Sequence, residues 1–262
     1  MDKIKSYTKI FWHLMQKDLL IMRQTLLRDI FDGIVWATST IFVTTYIFSS
    51  LGISSDYGPC FAIGGVASYG IFFVFDHTAN FLADLEGDQI IGNHLVLPLP
   101  SWLILIQQAC TYALFTSTLT VFIFPVAKIV LLGRLDLSHL SLIKLVPFFI
   151  LTNFFSAFLS LLVTSFLPGM RSLNVIWPRF LFPIWFFGGS QFSWQAVHNF
   201  SPKFSYLCLL NPFLYITEGL RACVLDPTNS LPFYVCAPVA LFATLAFAFI
   251  SIARLKRRLD FV

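Results

Sequence analysis

Residues 145–167 read LVPFFILTNFFSAFLSLLVTSFL, with no charged side chain from one end to the other. A helix rises about 1.5 Å per residue, so such a stretch matches the roughly 30 Å hydrocarbon core of a bilayer. Inside that core every backbone N–H and C=O needs an internal partner, which a helix supplies. The stretch therefore predicts a transmembrane helix.

Working outward, five further stretches have a similar character: 33–51, 61–83, 102–132, 175–192 and 232–253. The third is long, and Pro125 is expected to kink it or to end it before Lys128. The fifth is the weakest, because it contains Pro178, Arg179 and Pro183 and leads into a semi-apolar stretch at 200–224. The whole chain is 57% hydrophobic and only 11% charged, against about 25% charged in a soluble protein. Its 31 Phe residues suit lipid contact and helix packing but name no function. The expected fold class is an all-α membrane protein with six transmembrane helices in one domain spanning 33–253.

Charge sets the expected orientation. Lys3, Lys5, Lys9, Lys17, Arg23 and Arg28 precede the first span, and Arg254, Lys256, Arg257 and Arg258 follow the last. Arg171 follows the fourth. Lys128, Arg134, Lys144, Lys203 and Arg221 lie in segments that six spans place outside. The positive-inside rule then puts both termini in the cytoplasm, which requires an even number of spans. Residues 1–32 intersperse Ile10, Phe11, Leu14, Leu19, Leu20, Met22, Leu26 and Leu27 with basic and polar side chains, the pattern of an amphipathic helix lying in the interface. Residues 254–262 form a basic cytoplasmic tail. No cleavable signal peptide is expected. The net charge of +4 sits at the chain ends rather than in a stripe, so nucleic acid is not an expected partner.

Little in the sequence carries chemistry. There is no phosphate-binding loop, no HExxH and no GxSxG, so the chain is not expected to be an enzyme or to hold ATP. The five cysteines show no CxxC and no metal spacing. They read as small apolar residues in helices, with Cys60 on the same outer side as Cys208 and Cys223. Gly64-Gly65 and Gly188-Gly189 read as close helix approach or a break.

Three polar features stand out. Asp76 and His77 lie within the second span, and Arg179 within the fifth. Ionisable groups at such depth mark a relay or substrate contact, unless the span ends sooner and Arg179 snorkels to the interface. The loop at 84–101 holds Asp84, Glu86 and Asp88 and no Lys or Arg. It reads as a short helix with an acidic start, where carboxylates suit the helix dipole, stopped by Pro98 and Pro100. It is either a docking helix for a soluble subunit or a solvated hairpin. Residues 200–224 form a third odd region: Asn211-Pro212 suits a helix start, and Glu218 and Arg221 share a face three residues apart. This is either an outer gate or a cap on the bundle.

The arrangement resembles the permease subunits of ABC-2 type (type V) ABC transporters. Two motifs carry the resemblance. Glu86-Gly87-Asp88-Gln89 through Leu97-Pro98-Leu99 is similar to the family's E-x-G-T-x-E…T-P-L segment after span two, with Asp88 and Gln89 replacing Thr and a neighbouring Glu. The aromatic–glycine stretch Phe187-Gly188-Gly189 followed by Asn211-Pro212-Phe213-Leu214-Tyr215 and Glu218 and Arg221 is similar to the family's N-P-L-x-Y-x-x-E-x-x-R. The resemblance implies a homodimeric permease in the bacterial inner membrane, with two separate ATP-binding cassette subunits that hold ATP and Mg. It implies that Glu86, Gly87, Asp88 and Pro98 form the ATPase-coupling loop, with the N-terminal helix beside it. It also implies that 200–224 forms short helices in the outer leaflet. The expected function is export of a lipid, glycan, glycolipid or hydrophobic drug. The competing expectation is an ion- or proton-coupled carrier acting alone, with Asp76, His77 and Arg179 as its relay.

Overall fold

A computed structural model of the chain describes residues 2–52, 57–87, 98–225 and 230–259. Asp88 and the expected loop helix lie outside the described residues. Among those described there is no strand, and five helices are long and apolar enough to cross a membrane.

The first helix, α1 (Asp2–Phe42), continues through a π-helical turn at Val43–Ile47 to Ser50. The sequence suggested a boundary at 32–33 between an interfacial helix and a span. The helix runs through that point unbroken, because no proline interrupts it and Gly33 is buried against the ring of Tyr69. The Tyr69 hydroxyl donates to the carbonyl of Asp29 at 3.0 Å. The apolar helix Lys5–Ser50 has 46 residues, about 69 Å at 1.5 Å each. It is more than twice as long as a bilayer core is thick, so its charged first half extends past the apolar layer.

Helix α2 (Tyr57–Glu86) is the centre of the bundle. Of its most apolar window 83% is buried, against 28% for α1 and 22% for the last helix, which face outward. Small residues from Gly64 to Gly70 let neighbours approach. Next come α3 (Ser101–Thr120) and α4 (Ile123–Val130), interrupted at Val121 and Phe122. This is the expected effect of Pro125, whose ring meets the carbonyl of the residue four before it, Val121. Helix α5 (Leu142–Phe166) holds all but the last residue of the uncharged stretch 145–167.

The expected fifth span, 175–192, is not one regular helix. Residues 170–190 form a run of short 3-10, α and π pieces. Pro178 and Pro183 each remove a backbone donor and displace the carbonyl four residues earlier, and the wider π turns absorb the disruption. Three short helices follow: α6 (Trp194–Phe200), α7 (Pro202–Cys208) and α8 (Pro212–Val224). Helices α7 and α8 meet at 100° and count as a sixth apolar crossing only when taken together. The last helix is α9 (Phe233–Leu259).

Side-chain contacts give the order of the bundle. Helix α1 runs parallel to α3 and α4: Leu14 clusters with Leu99 and Ile104, Gln107 donates to Asp18 at 2.9 Å, and the Tyr46 hydroxyl donates to the Val130 carbonyl at 2.9 Å. Helices α5 and α9 form the most extensive pairing, parallel, with Phe148 on Phe233, Phe155 on Phe247 and Phe166 under Arg254. One end of the bundle therefore gathers the first half of α1, Glu86, the start of α3, the end of α5 and the end of α9. We call it the terminal end. The opposite end holds the start of α2, the 131–141 connection and α8.

Candidate functional site

At the end opposite the termini, Asn211 starts α8. Its side-chain oxygen accepts from the Phe213 N–H at 3.0 Å, and its amide nitrogen donates to the Ile184 carbonyl at 2.7 Å. Pro212 at the first helical position costs nothing, since that N–H has no helical partner. The helix start is thus capped and tied to the broken run in the same step. One turn and a half on, Thr217 donates to the Gly188 carbonyl at 2.7 Å.

The motif ends in a buried ion pair. Arg221 and Glu218 approach to 2.8 Å with side chains 2% and 0% exposed. A guanidinium has five N–H groups, and here all five are used. Nε donates to the Cys60 carbonyl, one terminal nitrogen to the Phe192 carbonyl and to Glu218, the other to the carbonyls of Gly189 and Ser190. Glu218 in turn accepts from the backbone N–H groups of Trp194 at 3.1 Å and Leu231 at 2.9 Å. One pair therefore fastens the start of α2, the broken run, the start of α6 and the approach to α9. Gly189 adopts φ +73°, a left-handed conformation that glycine takes readily. That turn exposes the carbonyls the guanidinium collects. A Cβ on Gly64 would lie 2.5 Å from Arg221, so α2 leaves the space that the side chain fills. Sequence spacing finds the pair itself; its carbonyl partners come from segments distant in sequence. Tyr215 is half-buried on α8 and does not join the network.

Between the broken run and α7 lies an apolar cleft of about 350 Å³, lined by Pro183, Ile184, Phe187, Phe204, Leu207 and Pro212 among others. Both polar groups of Asn211 at its edge are already bonded.

The three intramembrane candidates do not meet. Successive residues on a helix point about 100° apart, and Asp76 and His77 take different faces. His77 is buried, stacked on Tyr112 at 4.0 Å and within 3.3 Å of the Thr116 hydroxyl. Asp76 is exposed, and so is Arg179 on the broken run. Ion pairs among the described residues include Lys17–Asp18, Arg28–Asp29 and Arg221–Glu218, which do not involve Asp76, His77 or Arg179. The relay that a carrier acting alone would use is therefore not assembled in this arrangement. All five cysteines are free, and no group of metal-ligating side chains occurs among the described residues.

At the terminal end, the expected coupling residues divide. Asp88 lies outside the described residues, Gly87 and Pro98 are exposed, and Leu99 is buried in the cluster with Leu14 and Ile104. Glu86 is exposed but occupied: its Oε1 accepts from the Met170 N–H at 2.9 Å. It thereby joins the end of α2 to the turn after α5.

The fold defines a class rather than a particular protein: an all-α chain with five helices, or six with the bent pair, that can cross a membrane. No family model matches the chain, and no curated protein shows significant sequence similarity to it.

Proposed function

We propose that the chain is the membrane-spanning permease subunit of an ATP-driven exporter of the ABC-2 type. It would lie in the bacterial inner membrane as a homodimer, with an ATP-binding cassette subunit docked under each copy. The observation that carries the reading is the folded form of the 211–221 motif. The Asn cap, the proline start and the buried Glu218–Arg221 pair together fix α8 against the broken run, at 100° to α7. At the opposite end the acidic terminus of α2 lies with the basic first half of α1. A soluble partner at that end would reach the 84–101 loop and α1 together.

In this reading ATP hydrolysis belongs to the partner, and this chain supplies two arrangements with different contacts. The cleft beside Phe187 and Phe204 suits the apolar part of a cargo, which favours a lipid, glycolipid or hydrophobic drug over a bare glycan. The test is to find an ATP-binding subunit among the neighbouring reading frames and co-express it with this chain; the absence of one would count against the proposal. The two should co-purify in detergent, and the ATPase rate should rise over that of the soluble subunit alone. Transport by the purified chain in liposomes, driven by a proton gradient without ATP, would overturn the proposal.

A further inference from the structure

The turn after α5 is gripped from both sides. On one side is Glu86, the last residue of α2, bonded to the Met170 N–H. On the other is Arg258, in the last turn of α9. One of its terminal nitrogens donates to the carbonyls of Leu167 at 2.6 Å and Thr164 at 3.3 Å, the other to the carbonyl of Pro168 at 3.0 Å. The last carbonyls of a helix have no internal partner, and an arginine there satisfies them and suits the helix dipole. Arg254, four residues earlier and so on the same face, lies 4.0 Å over the ring of Phe166. Thus α9 holds the end of α5 at two points while α2 holds the turn that follows.

Gly169 shows that the Glu86 contact is built into the turn. Its φ of 176° is extended backbone open to any residue, so conformation does not require glycine here. A Cβ at this position would run into the Glu86 carboxylate and meet nothing else. The missing side chain makes room for Glu86.

We propose that Glu86 and Arg258 form a clamp on the 164–170 turn, which carries movement of the 84–101 loop from α2 into α5 and α9. Glu86 is then a positioning residue inside this chain rather than a contact for the ATPase. Arg258 is its counterpart, although its charge alone reads as part of a cytoplasmic tail. The clamp rests on the exporter reading, since it needs a partner that moves the loop.

The experiment uses the complex of this chain with its neighbouring ATP-binding subunit in lipid nanodiscs. It compares wild type with Glu86→Ala, Glu86→Gln, Gly169→Ala, Arg258→Ala and Arg258→Lys. Two quantities are read: affinity for the subunit, and stimulation of its ATPase. Glu86→Gln keeps the oxygen acceptor and should behave as wild type. Glu86→Ala, Gly169→Ala and Arg258→Ala should bind the subunit with unchanged affinity yet lose stimulation, within the roughly 5- to 150-fold range of coupling between sites. Arg258→Lys should fall between. Full stimulation in Gly169→Ala and Arg258→Ala would overturn the clamp and leave the exporter reading standing. Weaker binding in Glu86→Ala alone would also overturn it, by making Glu86 a direct contact. A wild-type chain that neither binds nor stimulates the subunit would remove the exporter reading first. If Arg258→Ala fails to accumulate, Gly169→Ala decides, because its added methyl touches only Glu86.

Discussion

Arg221 shows why a full charge can sit in an apolar bundle. Burying an unpaired charge is prohibitive, but a buried pair with every hydrogen-bonding group filled is tolerated. Here five donors meet five acceptors, and Glu218 binds two further N–H groups. Removing one member leaves the other buried alone, at a cost of about 3–5 kcal/mol. Arg221→Ala and Glu218→Ala should each lower the thermal midpoint in detergent and broaden the gel-filtration peak. The double variant should cost less than the two singles added together, since the residues share one network. Arg221→Lys should not rescue, because a lysine offers three donors from a single point and cannot replace the fork. Strictly additive losses would show that the pair is not a unit.

The spacing of Glu218 and Arg221 was legible in the sequence because i and i+3 share a helix face. The carbonyls of Cys60, Gly189 and Phe192 were not, because only the tertiary fold brings them there. Asp76 and His77 mislead in the opposite direction: they are adjacent in sequence but on different faces, one exposed and one stacked on Tyr112. If they carry no relay, Asp76→Asn and His77→Gln should leave ATP-driven transport at the wild-type level, read as uptake into inverted vesicles.

Among the elements, the apolar helices were legible wherever nothing competes with hydropathy. Residues 61–83, 145–167 and 232–253 fall within α2, within α5 and its end, and within α9 and its start. The third stretch broke where Pro125 requires. The boundary at 32–33 was not legible, because a change from polar to apolar residues alters a helix's surroundings without breaking its backbone hydrogen bonds. The broken run is the other departure, and prolines explain it. Restoring the missing donors with Pro178→Ala and Pro183→Ala should tighten 177–187 into a regular helix. Amide hydrogen exchange across that segment should then slow in nanodiscs. Unchanged or faster exchange would mean that the kinks come from the Gly188–Gly189 turn and its Arg221 contact instead.

For the whole molecule, the described contacts put the first half of α1, the acidic end of α2 and the end of α9 together. Exposed Lys5, Lys9, Lys17, Arg23, Lys256 and Arg257 lie on these segments. Charge near the spans should orient that end toward the cytoplasm. The 131–141 connection, with exposed Asp136, lies at the far end. In the proposed exporter, the ATP-binding subunit meets the terminal end. A photo-reactive amino acid placed at position 88 or at position 136, in cells that also produce the neighbouring ATP-binding subunit, tests this most directly. An ultraviolet-dependent adduct with that subunit is expected from position 88 and none from position 136. An adduct from position 136, or none from position 88, would contradict that placement.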